Sequence, residues 1–327
     1  MTPETRERAP RRARAAFPLG LALGLALGPA LGLSLGAATA RADTRTTHVA
    51  GGIHLITGAG GNVTLSVGES GILIVDSGSA GMTDALLAAV RQISAGPIRY
   101  LVNTSVDAAH TGGNAAVRAA GETFTGGNAT VVGGVDEGAA IVAHENALLR
   151  MTAAGVAADA LPTETFYVPK LDLYFNGEPV ELMHQPRSVD DASLIVHFRR
   201  SDVISAGDIY RLDSYPVIDV ENGGGIEGVL AALNFLIDLA VSDTLSEGGT
   251  LIVPGHGRIC DEGDLVRYRD MVTIVRDRIQ AAIDGGRTLA EIQAERPTLD
   301  YDSRYGSGAW TGEAFVEAVY RSLTGGT

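Results

Sequence analysis

The sequence predicts an α+β sandwich, with two mixed β-sheets packed face to face and helices covering their outer faces. Three observations predict it. Short apolar segments bounded by turn residues come in two successive blocks. Helical periodicity accompanies each block. No disordered linker or tandem repeat separates the blocks, so both belong to one layered fold.

In the first block, residues 52–57, 62–67 and 71–76 are apolar and punctuated by Gly and Asn, the pattern of a β-meander. Residues 82–93 repeat apolar side chains at helical spacing, and Ile98–Val102 then reads as a buried strand. Residues 114–121 look helical. A Gly-rich patch, Thr125-Gly126-Gly127-Asn128, precedes strands around 129–132 and at Ala140–His144, and residues 145–154 form the next helix. A second β-rich half begins near Thr165. It holds strands at Lys170–Phe175, 179–184, Leu194–Phe198 and 202–206, which are β-branched and separated by turn residues. Residues 226–241 make a strongly apolar helix. Leu251-Ile252-Val253 is a buried strand ending at Pro254-Gly255-His256-Gly257, and 262–322 is helical with loops at Gly285-Gly286 and 300–308.

Arg6, Arg8, Arg11, Arg12 and Arg14 precede an apolar run over residues 15–38, and Ala40-Arg41-Ala42 follows it. A basic start, an apolar middle and a small-residue exit predict a signal peptide over residues 1–42, cleaved after Ala42, and hence a periplasmic or secreted protein. An uncleaved anchor is the alternative for that run, and the Arg11-Arg12 pair points to twin-arginine export. No later run is long enough to span a bilayer, so no stable membrane insertion is expected after cleavage. The −14 of the full chain becomes −18 once a leader with six arginines and two glutamates is removed. That charge argues against nucleic acid or an anionic membrane surface as partner. Cys260 is the only cysteine and has no internal disulfide partner. A buried, inert thiol is expected there rather than a metal ligand.

Chemistry concentrates in one loop. Asn103-Thr104-Ser105-Val106-Asp107-Ala108-Ala109-His110-Thr111-Gly112-Gly113-Asn114 leaves a strand, is polar and is closed by a Gly pair, a usual place for a functional site. It resembles the metal-binding loop of the metallo-β-lactamase superfamily, Asn-Thr-His-x-His-x-Asp-His-Thr-Gly-Gly-Asn. The frame is kept and three of the four ligand positions are changed. Ile74-Val75-Asp76-Ser77-Gly78, Gly207-Asp208 and Pro254-Gly255-His256-Gly257 extend the resemblance over nearly all of residues 43–327. It implies a single four-layer αβ/βα domain with a helical C-terminal part from about 262 and a site at one rim where loops of both halves meet.

Members of that superfamily usually hold two metals, the first on three histidines and the second on an Asp and two histidines, with a further Asp bridging both. Carried over, the first metal's histidines fall on Ser105, Asp107 and Val189, and the second metal's Asp falls on Ala109. His110 and His256 match the second metal's histidines, and Asp208 matches the bridging carboxylate. Valine cannot coordinate, and un-ionised serine is a poor ligand. The resemblance therefore implies one surviving centre, in which His110, Asp208 and His256 hold one zinc ion, or iron or manganese in its place. Two histidines and a carboxylate are sufficient for a mononuclear centre. Asp107 is the candidate general base, or a fourth oxygen ligand. The implied activity is hydrolysis of a small-molecule ester, thioester, amide or lactam. The alternative is a catalytically inactive descendant that holds no metal and serves as a periplasmic binding or scaffolding protein. An oxygen-rich Mg or Ca site at Asp107, Asp190 and Asp191 is disfavoured by the surviving His pair.

Outside that frame, His110 reads as a helix cap near Thr111-Gly112, Asp208 as a turn cap and His256 as a backbone partner. His144 and His184, at strand exits, are candidates to line the cleft. His197 reads as a paired structural histidine, Asp190-Asp191 as a solvated loop and Trp310 as an anchor for helices. Tyr210 reads equally as core or as substrate contact.

Overall fold

In a computed structural model, the structure describes residues 44–122, 138–306, 308 and 310–325; the expected signal peptide, the Gly-rich patch and the expected strand at 129–132 lie outside them. The strands are β1 (Arg45–Ala50), β2 (Ile53–Ala59), β3 (Gly61–Gly68), β4 (Gly71–Val75), β5 (Ile98–Val102), β6 (Ala140–His144), β7 (Glu164–Phe166), β8 (Lys170–Phe175), β9 (Glu178–His184), β10 (Leu194–Phe198), β11 (Val203–Arg211) and β12 (Leu251–His256). Strands β1 to β7 form one sheet in chain order. A second sheet runs β12-β11-β10-β9-β8. Both are mixed: β1 to β4 pair antiparallel and β4 to β7 parallel, while β12 lies parallel to β11 beside three antiparallel neighbours. The helices are α1 (Thr83–Ile93), α2 (Ala108–Thr111), α3 (Asn114–Ala119), α4 (Glu145–Ala153), α5 (Ile226–Leu239), α6 (Glu262–Asp284), α7 (Leu289–Glu295), α8 (Asp302–Tyr305) and α9 (Gly312–Thr324).

Strand parity builds the layers. Side chains alternate faces along a strand, so a continuously apolar run is buried on both sides. In β4, Leu73 and Val75 pack between the sheets with Val102 of β5 and with Leu182, Leu194, Val196 and Val203 of the second sheet. Ile72 and Ile74 face the other way, against Leu86 and Val90 of α1 and Val117 of α3. The second sheet repeats the scheme. Ile195, Ile204 and Ile252 point outward onto Val229 and Leu233 of α5, Val272 of α6 and Val319 of α9. Helix, sheet, sheet, helix is the four-layer order expected. Among the described residues no helix is long and apolar enough to cross a membrane.

Two strands differ from the expectation. β1, Arg-Thr-Thr-His-Val-Ala, is an added edge strand on β2 that is largely exposed and lacks an apolar face to announce it. The segment at Thr165 belongs to the first sheet, not the second: β7 pairs in parallel with β6, and the second sheet starts at Lys170.

Candidate metal centre

The loop after β5 is pinned before any ligand is considered. Asp107 caps α2 by accepting the Ala109 amide N–H at 2.6 Å, and His110 lies within α2 rather than capping a helix near Thr111-Gly112, where the next helix has Gly113 at its cap. The His110 carbonyl accepts the Ser77 amide N–H at 2.7 Å, and the Ser77 hydroxyl donates to the same oxygen at 3.1 Å. Asn103 and Asn114 exchange amide hydrogen bonds at 2.8 and 3.0 Å. The frame residues of the motif thus hold the backbone, and His110 is fully buried at its end.

One further residue aims the imidazole. Asp76 directly follows β4 with φ +66°, a left-handed backbone that a non-glycine residue rarely adopts. Its carboxylate accepts the Thr104 amide at 2.8 Å and the Thr104 hydroxyl at 2.7 Å, and Oδ2 lies 2.8 Å from His110 Nδ1. A carboxylate on Nδ1 makes that nitrogen the donor and directs Nε2 away from it. Nε2 then stands 3.1 Å from Asp208 Oδ1, and His256 Nε2 stands 3.7 Å from the same oxygen. The three ligand atoms all lie within 4.8 Å of one another.

Asp208 comes from β11, which is longer than expected and bulged around Gly207; there φ is +51°, and a Cβ would lie 2.6 Å from Thr104 Oγ1. His256 ends β12, where Asn62 Nδ2 donates to the carbonyls of Pro254 and Gly257 at 2.8 and 3.0 Å and clamps the turn. A Cβ at Gly255 would lie 2.3 Å from Asp208 Oδ1, so glycine is what leaves the carboxylate its place.

Electrostatics and satisfaction then meet at one point. His110 Nε2, Asp208 Oδ1 and His256 Nε2 are buried and make no hydrogen bond: the 3.1 Å approach of His110 to Asp208 is an ion-pair contact only, and the 3.7 Å approach of His256 is too long for one. Burial opposes charge on His110, yet Asp208 and Asp76 outweigh it and raise its pKa well above the ordinary histidine value. Burial likewise opposes charge on Asp208, but His110, Arg211 and His256 together hold that carboxylate ionised far below its usual range. His256 is pushed the other way, chiefly by burial, and is the more neutral imidazole. Zinc–ligand bonds of about 2.0–2.1 Å set tetrahedral ligand atoms about 3.3 Å apart, so the 3.1 and 3.7 Å separations suit one cation among these three groups. The outer oxygen, Asp208 Oδ2, is taken by the Arg211 guanidinium at 3.1 Å.

The changed positions do other work. Ser105 is buried, and its Oγ accepts the Asp107 amide. Val189 sits in the hydrophobic layer under the helices. Asp107 is exposed, stays outside the trio and lines a cleft of about 760 Å³ that Asp208 and Val189 also line. His256 instead opens on a second cleft, of about 610 Å³, beside Asn62 and Arg258.

His144 and His184 stack on each other at 3.7 Å and are absent from both cleft linings. Asp190 is not solvated: it is 3% exposed, with Oδ1 accepting from Ser193 Oγ and the Ala192 amide, and burial raises its pKa. Asp191 binds Arg150 through both oxygens. His197 pairs with Glu181 at 3.3 Å, Tyr210 packs edge-on against Tyr268 in the core, and Cys260 is buried and free. Trp310 donates to the Pro216 carbonyl at 2.9 Å and also faces the larger cleft. Sequence reasoning missed the roles of Asp76 and Arg211. The Asp in Ile74-Val75-Asp76-Ser77-Gly78 was the available signal for the first, and nothing in the sequence marked the second.

No family model and no curated protein matches the chain. Solved structures do. The stereoselective inverting sec-alkylsulfatase Pisa1 from Pseudomonas sp. superposes with a TM-score of 0.64 at 16% identity, over 85% of this chain and 50% of its own. This chain therefore spans half the sulfatase's length. A metallo-beta-lactamase from Pontibacter korlensis gives a TM-score of 0.54 at 14% identity, over 71% of this chain and 99% of its own. The DIM-1 metallo-beta-lactamase gives 0.53 at 17%, over 71% and 97%. Two face-to-face mixed sheets between helical layers, shared with these structures across almost the whole of each lactamase, give this chain the metallo-β-lactamase fold.

Proposed function

We propose that the protein is a metal-dependent hydrolase with a single-cation centre, the cation being held by His110, Asp208 and His256. One observation carries this reading: three buried donor atoms of the right chemistry converge, and none has a hydrogen-bond partner. Leaving such groups unpaired costs about 1–3 kcal/mol each, which a shared ligand removes. Zinc, iron or manganese bound there supplies a Lewis acid and activates water near neutral pH. Asp76 fixes the His110 tautomer and ring direction. Arg211 neutralises the oxygen of Asp208 that would otherwise bridge to a second cation, which supports one ion rather than two. Asp107, on the cleft's edge, is the group assigned to hold or pass a proton. The substrates are esters, thioesters, amides or lactams, and secondary alkyl sulfates join the panel because the sulfatase shares the fold.

Zinc reconstitution followed by elemental analysis tests the centre. One equivalent per chain is expected, and a content staying below about a tenth of that sinks the reading. The burial of Val189 in a hydrophobic layer favours a second reading, an inactive binding or scaffolding protein. Replacing Ser105, Asp107, Ala109 and Val189 with His, His, Asp and His separates the two. Turnover in the revertant alone favours the inactive parent, while turnover in the parent that His256→Ala abolishes defeats it. We assign residues 1–42 as a cleaved export signal, and N-terminal sequencing of the mature protein checks the cut after Ala42.

A further inference from the structure

Away from the trio, two imidazoles face each other across the first hairpin. His48 of β1 pairs with His54 of β2 in antiparallel register, and directly opposed side chains of such a pair share one face of the sheet. Strand parity says which face. Leu55 packs between the sheets and Ile56 against the helical layer, so His54, two residues before Ile56, lies on the helical side and His48 with it. Thr47 and Leu55, of the opposite parity, line the smaller cleft, and the histidine pair is therefore apart from it. The two ring centroids stand 5.1 Å apart, edge to face.

Further observations point to a cation there. His48 Nε2 donates to the Gly51 carbonyl at 2.9 Å, across a turn in which Gly51 holds φ +54°. A backbone carbonyl on one ring nitrogen fixes the tautomer and leaves Nδ1 with the free lone pair, the support usual for a metal-binding histidine. The His54 ring makes no hydrogen bond among the described residues. Burial foremost, then the His48 ring, lowers the His54 pKa, so its lone pair is available at neutral pH.

We propose that His48 and His54 form a surface metal site, a two-imidazole chelate for a borderline divalent cation, Cu(II) foremost and Ni(II) or Zn(II) after it, with water in the remaining positions. The proposal goes beyond the hydrolase reading and does not depend on it. Two protein ligands hold an ion more weakly than three, so this site empties on desalting and adds nothing to the zinc count expected for the trio.

The experiment loads the tag-free mature protein on Cu(II) held by iminodiacetate resin and elutes with rising imidazole. An ion fixed to a resin reads surface imidazoles: His48 is exposed and His54 half-buried, whereas His110 is fully buried. The parent is expected to need at least about fivefold more imidazole than His48→Asn, because the second ring binds intramolecularly. His54→Asn and the double variant should elute with His48→Asn to within about twofold, since a chelate is lost with either ligand. His256→Ala should elute with the parent. His48 lies on the exposed edge strand, so His48→Asn leaves the core alone and decides the matter where His54→Asn loses its fold. A parent eluting with His48→Asn, partial losses in the single variants that add up in the double, or release by His256→Ala overturns the proposal. A chain that takes no zinc but keeps the retention sinks the hydrolase reading and supports this one, and a zinc-loaded chain without the retention does the reverse.

Discussion

Two neighbouring sets of positions have gone opposite ways in this molecule. His110, Asp208 and His256 keep ligand atoms pointed at one spot without a hydrogen bond to complete them. Ser105, Asp107 and Val189 each serve the local structure instead, by accepting an amide hydrogen bond, capping a short helix and filling a hydrophobic layer respectively. Satisfied groups are stable where they are, whereas unsatisfied ones are costly and persist when something else completes them. The contrast teaches that the trio keeps the converging geometry a cation would need, whereas the other set has been absorbed into local structure.

The strongest way to break that contrast is His256→Ala. Its ring is 23% exposed, so the fold should survive, while zinc affinity measured by competition with a chelator falls at least about 100-fold. An unchanged affinity would mean the cation sits elsewhere. Asp76→Asn comes next. With the Nδ1 partner altered, affinity should drop about 10–100-fold with little change in the circular dichroism spectrum, and a drop of less than about threefold would remove Asp76 from the site. Val189→His probes the other set. Placing an imidazole in the apolar layer should lower stability by about 2 kcal/mol in urea titration without adding a second zinc equivalent while Arg211 remains.

The smallest effect concerns acid, in the stacked pair outside both sets. Burial foremost, then the His184 ring, depresses the His144 pKa to about 4, and its Nδ1 must stay unprotonated to accept the Asn146 amide. A folded pKa below the unfolded one means that stability is intact above about pH 6.5 and is lost as pH falls toward 4. His144→Asn keeps a capping acceptor without a titrating ring. It should flatten the Tm profile across that window, and identical profiles would refute the assignment.

Much of this was legible in the sequence, for identifiable reasons. The run Ile72-Leu73-Ile74-Val75 announced a strand buried on both faces, because only a central strand between two layers tolerates apolar residues of both parities. The trio was legible only through the resemblance of its motifs to the metal-binding positions of the metallo-β-lactamase superfamily. What stayed hidden depends on distant contacts. β1 has no apolar alternation to read, and β7 is three residues long, with a sheet membership set by β6. Asp190 looked hydrated because its partners, Ser193 and two backbone amides, show only in the folded chain. Arg211 gains its meaning from the bulge that turns it back onto Asp208.

Asp208 belongs to one hollow and His256 to another, although their side chains stand 3.7 Å apart. The trio is thus a partition rather than a floor, with a doorway on each side. With a cation held by the trio, a molecule in the first hollow would leave the opposite doorway free, so ion exchange and ligand occupancy would be kinetically separable. Chelator stripping that slows in proportion to ligand occupancy would show instead that both share a single route.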